Sequence, residues 1–205
     1  MAPGAGVCGA GQCEAVTAGR TRSYLPPKGM CEVLDILRGH PAGEPVPAIS
    51  LRQPWAGAVA FLGKDVENRS RWPFKYRGPI IIHASATTPS LEDYKRMRNL
   101  AEEDELEADL LEGLDPTNEE TFLAGLFEMG GIVAVANLAE VFGPDDEVPE
   151  DHPVTASPWV KEDEDYWLYF SEVVPVKPVP FKGAVGMFKV PFEVARELEP
   201  FLADA

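Results

Sequence analysis

The pattern of apolar and polar positions divides the 205-residue chain into short helices and longer strands. Met30, Val33, Leu34 and Leu37 recur at helical spacing and predict an amphipathic helix over Met30–Leu37, closed by Gly39. A short apolar run, Ala48–Leu51, leads to a second helix starting at Pro54, where the missing proline N–H is not needed. Trp55, Ala58, Val59 and Leu62 line that helix, and Gly63 can end it in a left-handed conformation. Pro79–Ala84 reads as a buried strand.

The helical period returns between Ser90 and Glu128. Leu91, Tyr94, Met97 and Leu100 share one face of a first helix, and Phe122, Leu123, Leu126 and Phe127 one face of a second. Ser90-Leu-Glu-Asp93 and Thr117-Asn-Glu-Glu120 resemble capping boxes that open them, and Gly130-Gly131 ends the pair. Ile132–Leu138 is a continuous apolar run, the pattern of a central strand. Tyr166–Val174 and Ala184–Val190 predict two more strands, with Pro175, Pro178 and Pro180 in the connection. Pro191 starts a last short helix carrying Val194 and Leu198.

Residues 1–46 then form a Gly/Ala/Pro-rich arm with one short helix, and 47–205 a domain with a helical insertion at about 89–129. The fold class is α+β: strands make the core, helices wrap it, and a small closed or nearly closed mixed barrel avoids exposed edges.

Charge changes the picture most. The formal net charge is -16, yet residues 1–87 carry ten basic and six acidic groups, and 88–205 eight and twenty-eight. Such an acidic total opposes nonspecific coating of nucleic acid, which needs many phosphate contacts. It leaves room for a local basic cleft that focuses field on a small anion. Ala48–Ala86 holds six basic residues against two acidic. Eleven acidic and no basic residues fall between Asn99 and Glu128, which reads as a solvated acidic face. Nine acidic residues and several prolines make 143–165 a surface loop. No apolar stretch approaches the roughly 20 residues that span a bilayer, and the start lacks the pattern of a signal peptide. The expected setting is the cytoplasm, without a membrane.

The candidate chemistry lies in the basic stretch. Lys64 follows a helix end, where it can meet a phosphate or, if desolvated, act as base or nucleophile. Glu67 and Arg69 lie two apart, so on a strand they share a face. There a carboxylate can accept from a base while the guanidinium holds a carbonyl or phosphate. Trp55 and Trp159, each beside a proline, are candidates for a cleft rim on which a base could stack. His83 and Ser85, at the end of the buried strand, are candidate lining residues, although a histidine there is more often a satisfied core group. The arm carries Cys8, Cys13, Cys31 and His40, which could close a zinc site. Their spacing fits no tight knuckle and one cysteine falls in a helix, so reduced cysteines without metal are expected, and no cofactor. Gly57, Gly63 and Lys64 lack the spacing, the following Ser or Thr and the preceding strand of a P-loop.

The segments SLRQPWA, GKDVENR, RW and YRGPIIIHA, followed much later by SPW and YW, resemble the ASCH domain of the PUA-like superfamily over roughly residues 47–191. The family usually has one residue between the glycine and the lysine; here Gly63 and Lys64 are adjacent. The resemblance implies a PUA-like β-barrel with flanking helices whose cleft binds RNA or a modified nucleoside, with Lys64, Glu67 and Arg69 at motif positions. Its partners would be RNA, another single-stranded nucleic acid, or a modified nucleoside or nucleotide. Some small ASCH-type proteins are amidohydrolases acting on N4-acetylcytidine, using a lysine, a threonine three residues later and a glutamate further on. Lys64 would be the catalytic lysine, but Glu67 stands where the threonine should be. Hydrolysis therefore ranks second, and a ribonuclease activity has no supporting motif.

Overall fold

The apolar runs of the sequence become the middle of one mixed sheet. The structure, a computed structural model, describes residues 8–9, 12–13, 30–103 and 129–201. Its main sheet has six strands: β1 (Val46–Leu51), β2 (Val66–Arg69), β3 (Gly78–Ala84), β4 (Gly131–Phe142), β5 (Tyr166–Pro180) and β6 (Met187–Val190), in the order β2-β5-β4-β3-β1-β6. Only β1 and β3 run parallel. The fold is α+β, but the sheet is open: β2 and β6 end it, where a closed or nearly closed barrel was expected.

Both faces of the central strands are covered, which is why β3 reads as an unbroken apolar run rather than an alternation. Ile80, Ile82 and Ala84 point to one face, packing with Ile49, Leu51, Ala134, Leu168 and helix α2 (Trp55–Phe61). Ile81 points to the other, with Val46, Ala48, Val135 and helix α1 (Met30–Leu37). In α1 the buried residues are Val33, Ile36 and Leu37, while Leu34, expected inside, is exposed. A third cluster joins Ala58, Leu62 and Val66 to helix α3 (Leu91–Glu103) through Tyr94 and Met97, and to Trp159.

β5 runs through Pro175 and Pro178 to Pro180, which the sequence had suggested were a connection. Its ladder with β4 shifts register, then continues with Ala134 opposite Pro175 and Gly131 opposite Pro180. β2 covers only Tyr166–Tyr169 on the other side, and beyond it β5 has there just a short bridge of Val176 to Pro200, so most of its remaining length is an edge, where a missing N–H costs little. The expected strand Ala184–Val190 starts later, at Met187. Between β5 and β6, Gly183 lies against His83: a Cβ there would come 2.4 Å from His83 Cε1 and 2.6 Å from Ser50 Oγ. The acidic loop after β4 folds back on the body through a 3-10 turn, Pro153–Ala156, that buries Val154. The predicted second insertion helix and its capping box at Thr117 lie outside the described residues, as does most of the arm. No helix among the described residues is long and apolar enough to cross a membrane.

Candidate functional site

The site begins with how α2 starts and stops. The Gln53 side chain accepts from the Gly57 N–H at 2.9 Å, satisfying one of the free donors of the first turn. At the other end Gly63 takes φ +64°, a conformation glycine adopts without strain, and the chain reverses so that the Lys64 N–H reaches the Ala58 carbonyl at 3.1 Å. This turn carries Lys64 inward, and only 2% of it is exposed.

Lys64 Nζ donates to the Val66 carbonyl and lies 3.1 Å from Glu67 Oε2. Burial pushes the ammonium pKa below the ordinary lysine value, and the Glu67 charge offsets part of that. Glu67 and Arg69 share a face of β2, with Glu67 Oε1 3.1 Å from Arg69 Nε. That contact is an ion pair without hydrogen-bond alignment, since Arg69 Nε is buried with no hydrogen-bond partner among the described residues. Arg69 also donates to the Ser50 carbonyl at 3.1 Å, tying β2 to the end of β1. One carboxylate is thus shared between two cations.

These residues open into a cleft of ≈ 300 Å³. Its walls come from the end of β1 (Ser50, Leu51, Arg52), Trp55 at the start of α2, β2, Asp93, Arg96 and Leu100 of α3, and the segment Pro158–Lys161 with Glu164. Trp159 is buried, and its indole N–H finds no acceptor among the described residues. Trp55 is half-buried. The structure therefore brings Lys64, Glu67, Arg69, Trp55 and Trp159 together around one opening.

His83 and Ser85 are not among the residues lining it. His83 is 2% exposed, with Nδ1 3.1 Å from Ser50 Oγ and Nε2 2.9 Å from the Phe181 carbonyl, and it packs edge-on against Phe188. The carbonyl requires Nε2 to carry the proton, so Nδ1 accepts from the serine. It is a satisfied core histidine. Ser85 Oγ accepts from the Thr87 N–H at 3.2 Å in a local turn. Trp72 is buried in the core, and Trp167 donates to the Lys161 carbonyl at 3.1 Å. Among the metal candidates, His40 Nε2 contacts the Glu44 carbonyl and its ring stacks near Phe192. Cys8 and Cys13 are paired backbone positions in a minimal hairpin. The side chains of Cys8, Cys13 and Cys31 lie outside the described residues, and no metal-binding cluster occurs among the described ones.

Three contributors escaped the sequence. Asn68 points to the opposite side of β2 from its neighbours and clamps the acidic loop: its Nδ2 donates to the Trp159 carbonyl and its Oδ1 accepts from the Lys161 N–H, both at 2.8 Å. Asp65 holds the same loop by accepting from Ser157 Oγ at 2.5 Å. Arg96 comes from the insertion that read as acidic. An Asn after a Glu in a short strand gives no signal of a partner some ninety residues away.

No family model matches the sequence, and no curated protein sequence does. Two similar solved structures are ASCH from Zymomonas mobilis, at 13% identity and TM-score 0.41, covering 75% of this chain and 95% of that one, and a tyrosine-to-phenylalanine mutant of ZmASCH from the same organism, at 12% identity and TM-score 0.42, covering 76% and 100%. Superpositions this loose transfer no residue's role.

Proposed function

We propose that the cleft binds a single nucleotide unit, either of RNA or as a free modified nucleoside or nucleotide. The observation that carries this is the Lys64–Glu67–Arg69 constellation at the base of a ≈ 300 Å³ opening walled by two tryptophans. That volume is at the small end for ligand sites, fitting one base and its sugar rather than a duplex. Glu67 keeps free lone pairs for a base's amino or imino hydrogen, because each oxygen has a single cationic partner. Trp55 offers a half-buried ring for stacking.

The test is titration of nucleosides, mononucleotides and short oligonucleotides into the wild type and a Lys64→Ala, Arg69→Ala double variant, with folding checked by circular dichroism. Binding should weaken at least about tenfold in the variant. Equal affinity in both proteins for every ligand would sink the assignment. A hydrolytic reading has one observation in its favour, the buried Lys64 amine whose pKa is lowered towards that of a base. Glu67 at the threonine position stands against it. Release of acetate from N4-acetylcytidine, abolished by Lys64→Ala, would reverse the ranking.

A further inference from the structure

The charges lining the cleft do not cancel one another. Five cations line it, Arg52, Lys64, Arg69, Arg96 and Lys161, against three carboxylates, Asp93, Glu67 and Glu164. Lys64 and Arg69 share Glu67. Lys161 is paired twice, with Asp163 at 3.1 Å and Glu164 at 3.3 Å. Asp93 accepts from the Ser90 hydroxyl at 2.7 Å in the first turn of α3, where the helix dipole also favours its charge. That leaves Arg52 and Arg96. Both are exposed, on separate elements, and neither side chain has a hydrogen bond or ion pair among the described residues. Asp163 feels the charge of Arg96, but it is held by Lys161.

We propose that Arg52 and Arg96 form a clamp for a phosphate monoester, so that the ligand is a nucleotide unit bearing a terminal phosphate rather than a neutral nucleoside. This rests on the nucleotide reading of the cleft and narrows it. The five lining cations exceed the three lining carboxylates by two, with Arg52 and Arg96 the cations without an ion-pair partner among the described residues, and a phosphate monoester carries about -1.5 to -2 at neutral pH. A guanidinium presents paired donors matched to phosphate oxygens. A phosphodiester carries one charge and a nucleoside none. The net charge of -16 sharpens the choice, because an acidic body repels polyanions everywhere except at such a focus.

The same ligand chemistry has two sources, a free mononucleotide or the phosphorylated end of a single strand. The experiment is calorimetric titration with a nucleoside, its 5′- and 3′-monophosphates, and a short strand with and without a terminal phosphate. Wild type and an Arg52→Ala, Arg96→Ala variant are compared. One monophosphate should bind about tenfold or more tighter than its nucleoside, and the gap should fall below about threefold in the variant. A phosphorylated strand binding far tighter than the mononucleotide would make the strand end the ligand; parity would make it the free nucleotide. Both results support the clamp. Equal binding of nucleoside and monophosphates by the wild type would overturn the clamp and leave the cleft reading intact. No binding of any of these ligands would overturn both.

Discussion

Two residues, one without a side chain and one buried charge, give predictions that geometry fixes closely. Gly183 sits where a methyl group would meet His83 Cε1 at 2.4 Å and Ser50 Oγ at 2.6 Å. Neither neighbour can swing away without breaking a hydrogen bond that a buried ring needs. Gly183→Ala should therefore destabilise the fold by about 1–3 kcal/mol, read from denaturant midpoints at unchanged slope. An unchanged midpoint would mean that the loop yields freely. Lys64 gives a pH signature. Its folded-state pKa lies below 10.5 because burial disfavours the ammonium. Between the lowered value and 10.5 the unfolded chain binds more protons, so this group's contribution to stability is complete above 10.5 and lost as pH falls through the folded value. Compared over about pH 7–11, wild type should gain stability relative to Lys64→Met as pH rises. Parallel curves would show that the amine is charged and well solvated in the fold.

At the scale of elements, the cleft depends on a loop held by side chains instead of by a ladder. Asn68 bridges the Trp159 carbonyl and the Lys161 N–H, and Asp65 holds Ser157, so the acidic loop is fastened along β2 as a strand would be. Asn68→Ala leaves both backbone groups without these partners and should cost about 1–3 kcal/mol. It should also speed hydrogen exchange at the Lys161 amide and weaken ligand binding, because Trp159 and Lys161 form one wall. Unchanged exchange at that amide would show that the loop is held by packing alone. These contacts explain what the sequence could and could not tell. Lys64, Glu67 and Arg69 were legible because their grouping needs only a turn and one four-residue strand, all within six positions. The loop fastening spans sequence separations of 91 to 93, and no local pattern reports it. β5 was misread for a related reason. Proline is a sound strand-breaker in a strand flanked by ladders on both sides, and only the sheet order reveals that beyond Tyr169 β5 has one ladder, with a single bridge to Pro200 on its other side. His83 was ambiguous because its partners, Ser50 and Phe181, come from two other segments.

At the scale of the molecule, the division of charge limits which ligands the proposed nucleotide cleft could take. The acidic residues concentrate after position 87, and helix α3, at the head of the acidic insertion, nevertheless turns Arg96 into the cleft. The basic focus is therefore small, on a chain whose net charge is -16. Affinity for single strands should then stop rising once the cleft is filled, because further phosphates meet carboxylates instead of cations. Counterion release gives a quantitative form of this expectation: log affinity falls with log salt with a slope of about -0.7 for each phosphate neutralised on a single strand. One or two phosphates at Arg52 and Arg96 predict a slope between about -0.7 and -1.4, the same for a dimer as for a twelve-nucleotide strand. The measurement is a set of fluorescence-anisotropy titrations over a range of salt at several strand lengths. A slope steepening with length beyond about -3 would require a track of four or more cations, and the idea of one small cationic focus on an acidic body would have to be abandoned.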